Sequence, residues 1–269
     1  MTAFLNHFAF EFRTGIRNRQ LLFLNYMFPM VFYLMMGFIM VDINPMFLNT
    51  VIPAMVVFAV MAAMLLGIPD PLVKAREDGI FRSYRINGIP SSSILAVPAI
   101  TTSIHLLIMA LIITFTAQPL FNAPLPANWL NYGVVILALM VAMVGISVLI
   151  GVVSPSTNFQ MMVSQIIFIP SMLVGGLMVP YDILPKAAQS LARIFPATHA
   201  MNAFNGLAMG IGANFSAWGS ILVLFSGGIL AFGLAIYLFN WDSRNETRRG
   251  NPALALLVLL PFLASLLLN

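Results

Sequence analysis

Six stretches of this sequence run for 20–25 residues with almost no charge, and each is stopped by a proline, asparagine, aspartate or glycine. A helix needs about 20 such residues to cross the ~30 Å hydrocarbon core of a bilayer. Inside that core every backbone N–H and C=O must be bonded within the chain. The pattern therefore dictates an all-α, polytopic membrane bundle before any motif is read. Composition agrees: 61% of the residues are hydrophobic and 7% charged, against about 25% charged in soluble domains. A water-soluble enzyme is excluded. So is an outer-membrane barrel, whose strands alternate apolar and polar positions.

The six spans are expected over 22–41, 49–68, 94–116, 129–153, 159–179 and 218–239. A seventh apolar run, 252–268, would rise only about 25 Å as an α-helix, the short limit for crossing. Orientation follows from the bases. With the N-terminus cytoplasmic, Arg13, Arg17, Arg19, Lys74, Arg76, Arg82, Arg85, Arg244, Arg248 and Arg249 lie inside, and only Lys186 and Arg193 lie outside. Residues 1–20 carry bases but lack the short apolar core and cleavage site of a secretory signal. The chain has no cysteine, so disulfide and thiolate chemistry are excluded. Its net charge of +4 is dispersed, which gives no nucleic-acid-binding surface.

Three segments are neither plain loop nor span. Residues 4–24 space Phe4, Phe8, Phe12 and Ile16 at helical intervals beside Glu11, Arg13, Arg17 and Arg19, an amphipathic helix expected to lie in the cytoplasmic interface. Residues 180–212 are proline-broken yet carry Ile183, Leu184, Leu191 and Ile194, which predicts a re-entrant outer hairpin, buried in protein or facing water. Residues 74–90 mix charge with Ile80, Phe81, Tyr84 and Ile86. A short helix from Gly79 would set Ile80, Phe81 and Tyr84 on one face and Arg82 and Arg85 on another, a design either for docking on a soluble partner or for a solvated loop that only sets topology.

No catalytic or metal constellation is visible. His7, His105 and His199 fall in separate segments, without metal-ligand spacing. His199 is expected to bond backbone groups, and His105 to join Thr101, Thr102 and Ser103 in a buried polar cluster. No Gly-rich G-K-S/T loop exists, so any ATP hydrolysis belongs to another polypeptide. The spans hold essentially no charge away from their ends, which disfavours a proton path or a charged-ring channel.

Two motifs at matching topological places make the chain resemble the permeases of the ABC type-2 exporter family. One is the acid-x-Gly pattern of Glu77, Asp78 and Gly79, followed by Phe81, Arg82, Tyr84 and Arg85. Gly88 stands where relatives often carry proline. The other is the run containing Pro180, Leu184, Pro185, Ala192, Arg193, Phe195, Pro196 and His199. The resemblance implies a type-2 transmembrane domain over 1–251, with 252–269 as an extra apolar helix. It implies that Glu77–Arg85, with Glu11 and Arg13, couples to a separate ATP-binding-cassette ATPase, while the outer hairpin itself reads either as a gate by which amphiphiles leave the bundle or as a lid that only plugs it. It further implies a second permease copy, a plasma (inner) membrane location, lipid contact, an amphiphilic cargo, and neither cofactor nor metal. The alternative is an ATP-independent channel or scaffold.

Overall fold

The structure, a computed structural model, describes residues 18–241 and 250–267. Among the described residues six helices are long and apolar enough to cross a membrane. The interfacial helix expected over 4–24 lies outside the described residues as far as Arg17, and so do Glu11, Arg13 and the basic stretch 242–249. The described remainder, 18–24, belongs to the first span. There Asn18 caps helix α1 (Arg19–Ile43) by accepting from the N–H groups of Gln20 and Leu21 at 3.0 and 3.3 Å. Within α1 the turn Phe23–Met27 is π-helical. It ends just before Pro29, a residue without the N–H an α-turn requires, and the wider turn absorbs that loss.

Helix α2 (Val51–Gly67) is enclosed on all sides, while α1 and α7 (Thr157–Val174) leave most of their surface facing outward. Ala54, Ala59, Ala62 and Ala63 let neighbouring spans approach α2, and Phe58 stacks on Phe32 with centroids 3.9 Å apart. After Ile68 the chain restarts at Pro69 and continues as α3 (Pro69–Glu77), a charged extension of the second span. Helix α4 (Ile80–Ile86) follows a tight turn, and α5 (Ser91–Phe121) returns across the bundle. At 31 residues α5 outlasts its expected end at 116. Phe121 is the reason: its ring lies edge-on to Tyr33, over Gly37, where any Cβ would clash with it.

Helix α6 (Trp129–Val153) matches its expected span, and α7 stops at Val174, five residues early, where Gly175 and Gly176 open the hairpin. The hairpin contains α8 (Lys186–Ala192) and α9 (Pro196–Ala203), and α10 (Ala217–Leu238) is the sixth span. Helices α6 and α10 touch backbone to backbone. A Cβ on Gly145 would fall on the Gly228 carbonyl, and one on Gly228 would fall on Val141 O. Such contact needs residues without side chains.

The connectivity gives the bundle two ends. The basic end carries α3, α4 and the α6–α7 turn; the hairpin end carries the α1–α2 turn, α8 and α9. Replacing Gly228 with valine is expected to cost roughly 1–3 kcal/mol by overpacking. The check is the thermal midpoint of the purified protein in detergent, which falls by several degrees, whereas Gly233→Val, with open space around it, leaves it within a degree or so.

Candidate functional site

At the basic end, α3 and α4 form an elbow. Gly79 joins them with φ +74°, a left-handed conformation that strains any residue with a Cβ. Past the turn, Phe81 is buried and packs its ring 5.2 Å from Phe239 and 6.5 Å from Tyr84. Glu77, Asp78, Arg82 and Arg85 point outward. The residues thus split as the sequence indicates, apolar ones inward and charged ones outward, except Ile80 and Ile86, which are also exposed. The helix ends in a Schellman motif: Ile89 N–H bonds Tyr84 O at 3.0 Å and Gly88 N–H bonds Arg85 O at 3.1 Å, with Gly88 at φ +73°. Gly88 supplies the left-handed residue such a stop requires.

The elbow is fastened by Arg76, only 8% exposed. Its guanidinium donates to Val152 O at 2.6 Å, to Gly151 O at 3.5 Å and to Ser154 O. These carbonyls are the terminal acceptors of α6, left without intrahelical partners, and the cation faces the negative end of that helix. The backbones also meet closely: a Cβ on Gly151 would lie 3.1 Å from Leu72 Cβ and 3.2 Å from Pro69 Cα. Lys74 pairs with Asp70 at 2.7 Å on the exposed side, and that pair contributes little. Arg76 was counted in the sequence only as a topology charge. Its buried phase with Pro69, Leu72 and Val73, at i, i+3, i+4 and i+7 spacing, is the signal that marks it.

At the hairpin end, polar side chains hold backbone. Asn202 is saturated: its Oδ1 accepts from the N–H groups of Asn214 and Phe215 at 2.8 and 3.3 Å, and its Nδ2 donates to Phe215 O and Ser220 Oγ at 2.9 and 3.0 Å. Arg193 donates from Nε to Tyr181 Oη at 3.1 Å and lies 4.3 Å over the Phe215 ring. His199, 1% exposed, gives its Nε2 proton to Arg193 O at 2.8 Å and sits 3.4 Å from Ser220 Oγ through Nδ1. Burial pushes its pKa down to about 4. The bond to the Arg193 carbonyl opposes this shift, and the Arg193 charge adds to it.

Between the α1–α2 turn, the end of α7 and the hairpin lies a cavity of about 520 Å³, with Asn44, Asn49, Asn205 and Asn214 in its wall. Asn205 Oδ1 is buried without a hydrogen-bond partner among the described residues, and Asn205 belongs to a π-helical turn, Phe204–Met209. Of the hairpin residues singled out by sequence, Pro180 lines this cavity; Leu184, Pro185, Arg193, Phe195, Pro196 and His199 shape the hairpin instead. Near the basic end His105 Nδ1 meets Tyr26 Oη at 2.8 Å, beside Thr101 and Thr102. No group of three metal-ligand side chains exists among the described residues.

The family description "ABC-2 type transporter" fits residues 2–209. The chain belongs to the ABC-2 transporter family. YvfS of Bacillus subtilis (strain 168), whose name assigns it to the transport permeases, is 25% identical over 186 residues, covering 69% of this chain and 74% of YvfS. ABC transporter G family member 20 of Dictyostelium discoideum is 26% identical over 206 residues, covering 75% of this chain but 28% of that longer protein. Like its family, this chain is a transport permease component. The family match ends at residue 209, so α10 and the C-terminal segment lie beyond it.

Two outcomes follow from the geometry of this ABC-2 permease. Arg76→Met strips the cap from α6 and is expected to cost about 2 kcal/mol, a drop of roughly 4–8 °C in thermal midpoint, with Arg76→Lys only partly restoring it because a lysine lacks the fork. For His199 the folded pKa lies below the unfolded 6.5, so folding favours the neutral ring. Its contribution, on the order of 3 kcal/mol, is complete above pH 6.5 and is lost as the pH falls towards 4. The difference in thermal midpoint between the native chain and His199→Asn should be largest above pH 6.5 and shrink across that interval. A constant difference would show that the ring is not kept neutral by the fold.

Proposed function

We propose that this chain is the permease subunit of an ATP-driven exporter. Two copies sit in the plasma membrane with their basic ends cytoplasmic, each engaged by a separately encoded ATP-binding-cassette subunit. The cargo is an amphiphilic small molecule, passed from the inner face towards the hairpin. The observation that carries this reading is the Arg76 fastening of the elbow. Glu77, Asp78, Arg82 and Arg85 offer both signs of charge to a soluble partner, suited to steering and register. A displacement of α4 then moves α3, and α3 cannot move without the end of α6 on which Arg76 is seated. Elbow and fourth span form one lever.

The interior supports the cargo class. Away from the span ends the described helices carry no Asp, Glu, Lys or Arg, and several of their hydroxyls are turned back on the backbone or on each other, as in Thr101 to Val97 O and Tyr33 to Thr116, while Ser147 Oγ and Ser171 Oγ are buried without a hydrogen-bond partner among the described residues. A charged solute would find no partner there; an apolar chain with a neutral head finds both apolar walls and, at the far end, the asparagine-lined cavity. The family of the chain implies the cassette partner, and the ten-to-two division of its bases supports an inside position for the elbow.

Isolation of the tagged chain from its native membrane in mild detergent is the test. A co-purifying polypeptide should hydrolyse ATP, and Glu77→Lys or Arg82→Glu should reduce its recovery or its stimulation at least tenfold while the permease still inserts. Full recovery and full stimulation in both reversed variants would remove the elbow from the coupling interface.

A further inference from the structure

The C-terminal segment Pro252–Leu267 was expected to be short for a crossing, yet its two ends lie at opposite ends of the bundle. Gly250 packs on Tyr237 and Leu238, the last turn of α10. Gly250 and Pro252 share with Arg76, Val152 and Ser154 the wall of a cavity of about 190 Å³ at the basic end. At the other end, Ser265 Oγ lies 3.3 Å from His199 Nε2 in the hairpin. The winding supplies the missing length. Pro252–Val258 and Ser265–Leu267 are 3₁₀-helical and only Leu259–Ala264 is α. At about 2.0 Å and 1.5 Å per residue respectively, the segment reaches about 29 Å, the thickness of the hydrocarbon core.

Its two faces differ as a crossing requires. Leu256, Leu260, Leu263 and Leu267 are exposed and apolar, and the segment contains no charged residue. On the other face Phe262, 1% exposed, sits over Gly227 of α10, where a Cβ would lie 2.7 Å from its ring. The same ring covers His199, with centroids 5.9 Å apart. Ser265 donates its proton to Phe262 O at 2.5 Å, so its oxygen shares the His199 N–H with Arg193 O. His199 is the residue that joins the α8–α9 turn to Ser220 of α10.

We propose that Pro252–Leu267 is a seventh membrane crossing whose far end braces the hairpin in its closed position, with Phe262 and Ser265 clamped on His199. The crossing stands on the position of its two ends alone. The brace rests on the reading of the hairpin as a gate. Opening the hairpin breaks the Ser265 contact and uncovers the His199 ring, so the segment holds the resting exporter shut at its exit.

The absence of cysteine makes the test direct. Single variants Asn269→Cys, Ile183→Cys and Ile86→Cys are exposed, in sealed cells and after permeabilisation, to a membrane-impermeant maleimide. Asn269→Cys should label with the pattern of Ile183→Cys in the hairpin, and opposite to Ile86→Cys on α4. Labelling in the pattern of Ile86→Cys overturns the crossing, whichever way the bundle is oriented. For the brace, Met201→Cys in the cavity wall is labelled alone and together with Ser265→Ala or Phe262→Ala, each checked for an unchanged elution volume. Slow labelling alone and labelling at least tenfold faster with either second change is the expected result. Slow labelling throughout overturns the brace only. Fast labelling of Met201→Cys alone overturns the gate reading and the brace with it.

Discussion

A buried guanidinium on the end of a helix organises this molecule. Arg76 leaves water and is compensated by the terminal carbonyls of α6, acceptors that would otherwise be orphaned and that concentrate the negative end of the helix dipole. Removing the cation exposes both halves of that bargain, which is why such an arrangement acts as a fixed joint and not as a sliding contact. From this joint a continuous series of close contacts runs the length of the bundle. Helix α3 lies on Gly151 of α6; α6 meets α10 at Gly145 and Gly228; α10 holds His199 and Asn202 through Ser220. Charged elbow and proline-broken hairpin are the two ends of one mechanical unit.

The second constraint is the solvent. Backbone groups in the spans must be bonded inside the chain, and several side-chain hydroxyls are paired as well, as Thr114 is with Tyr132. Charge is kept to the ends. The result is an interior that offers packing and few fixed polar sites, with the asparagine-lined cavity at the hairpin end as the exception. The proposed amphiphilic cargo would use that division: apolar walls for the tail and neutral hydrogen-bonding groups where the head leaves.

The sequence showed six spans because the membrane leaves so few alternatives for long apolar runs. It placed α4 from Gly79 and the phase of Phe81 against Arg82 and Arg85. Boundaries were less legible. The fifth span ends early at the Gly175–Gly176 pair, and the third runs on through Pro119 to Phe121. Contacts between distant segments were not legible at all. The backbone contact of Gly145 on Gly228 is a pairing that depends on how two helices cross. Arg76 was hidden by its own charge, although its periodicity with Leu72 and Val73 marks the buried face. The length of Pro252–Leu267 was underestimated because 3₁₀ winding has no clear local signature in a leucine-rich run.

The claim that elbow and fourth span move as one body has a direct test. Leu72 Cβ lies 3.1 Å from the position a Cβ would take on Gly151, short of the ~3.8 Å that a disulfide spans, so a separation of the two helices by under an ångström admits the bridge. Leu72→Cys with Gly151→Cys can therefore be oxidised in the otherwise cysteine-free chain, within the complete complex, and ATP-dependent transport measured before and after reduction. A rigid lever predicts equal transport in the locked and the reduced forms. Transport lost on oxidation and restored by reduction would mean that α3 and α6 must slide past one another, and would contradict the account.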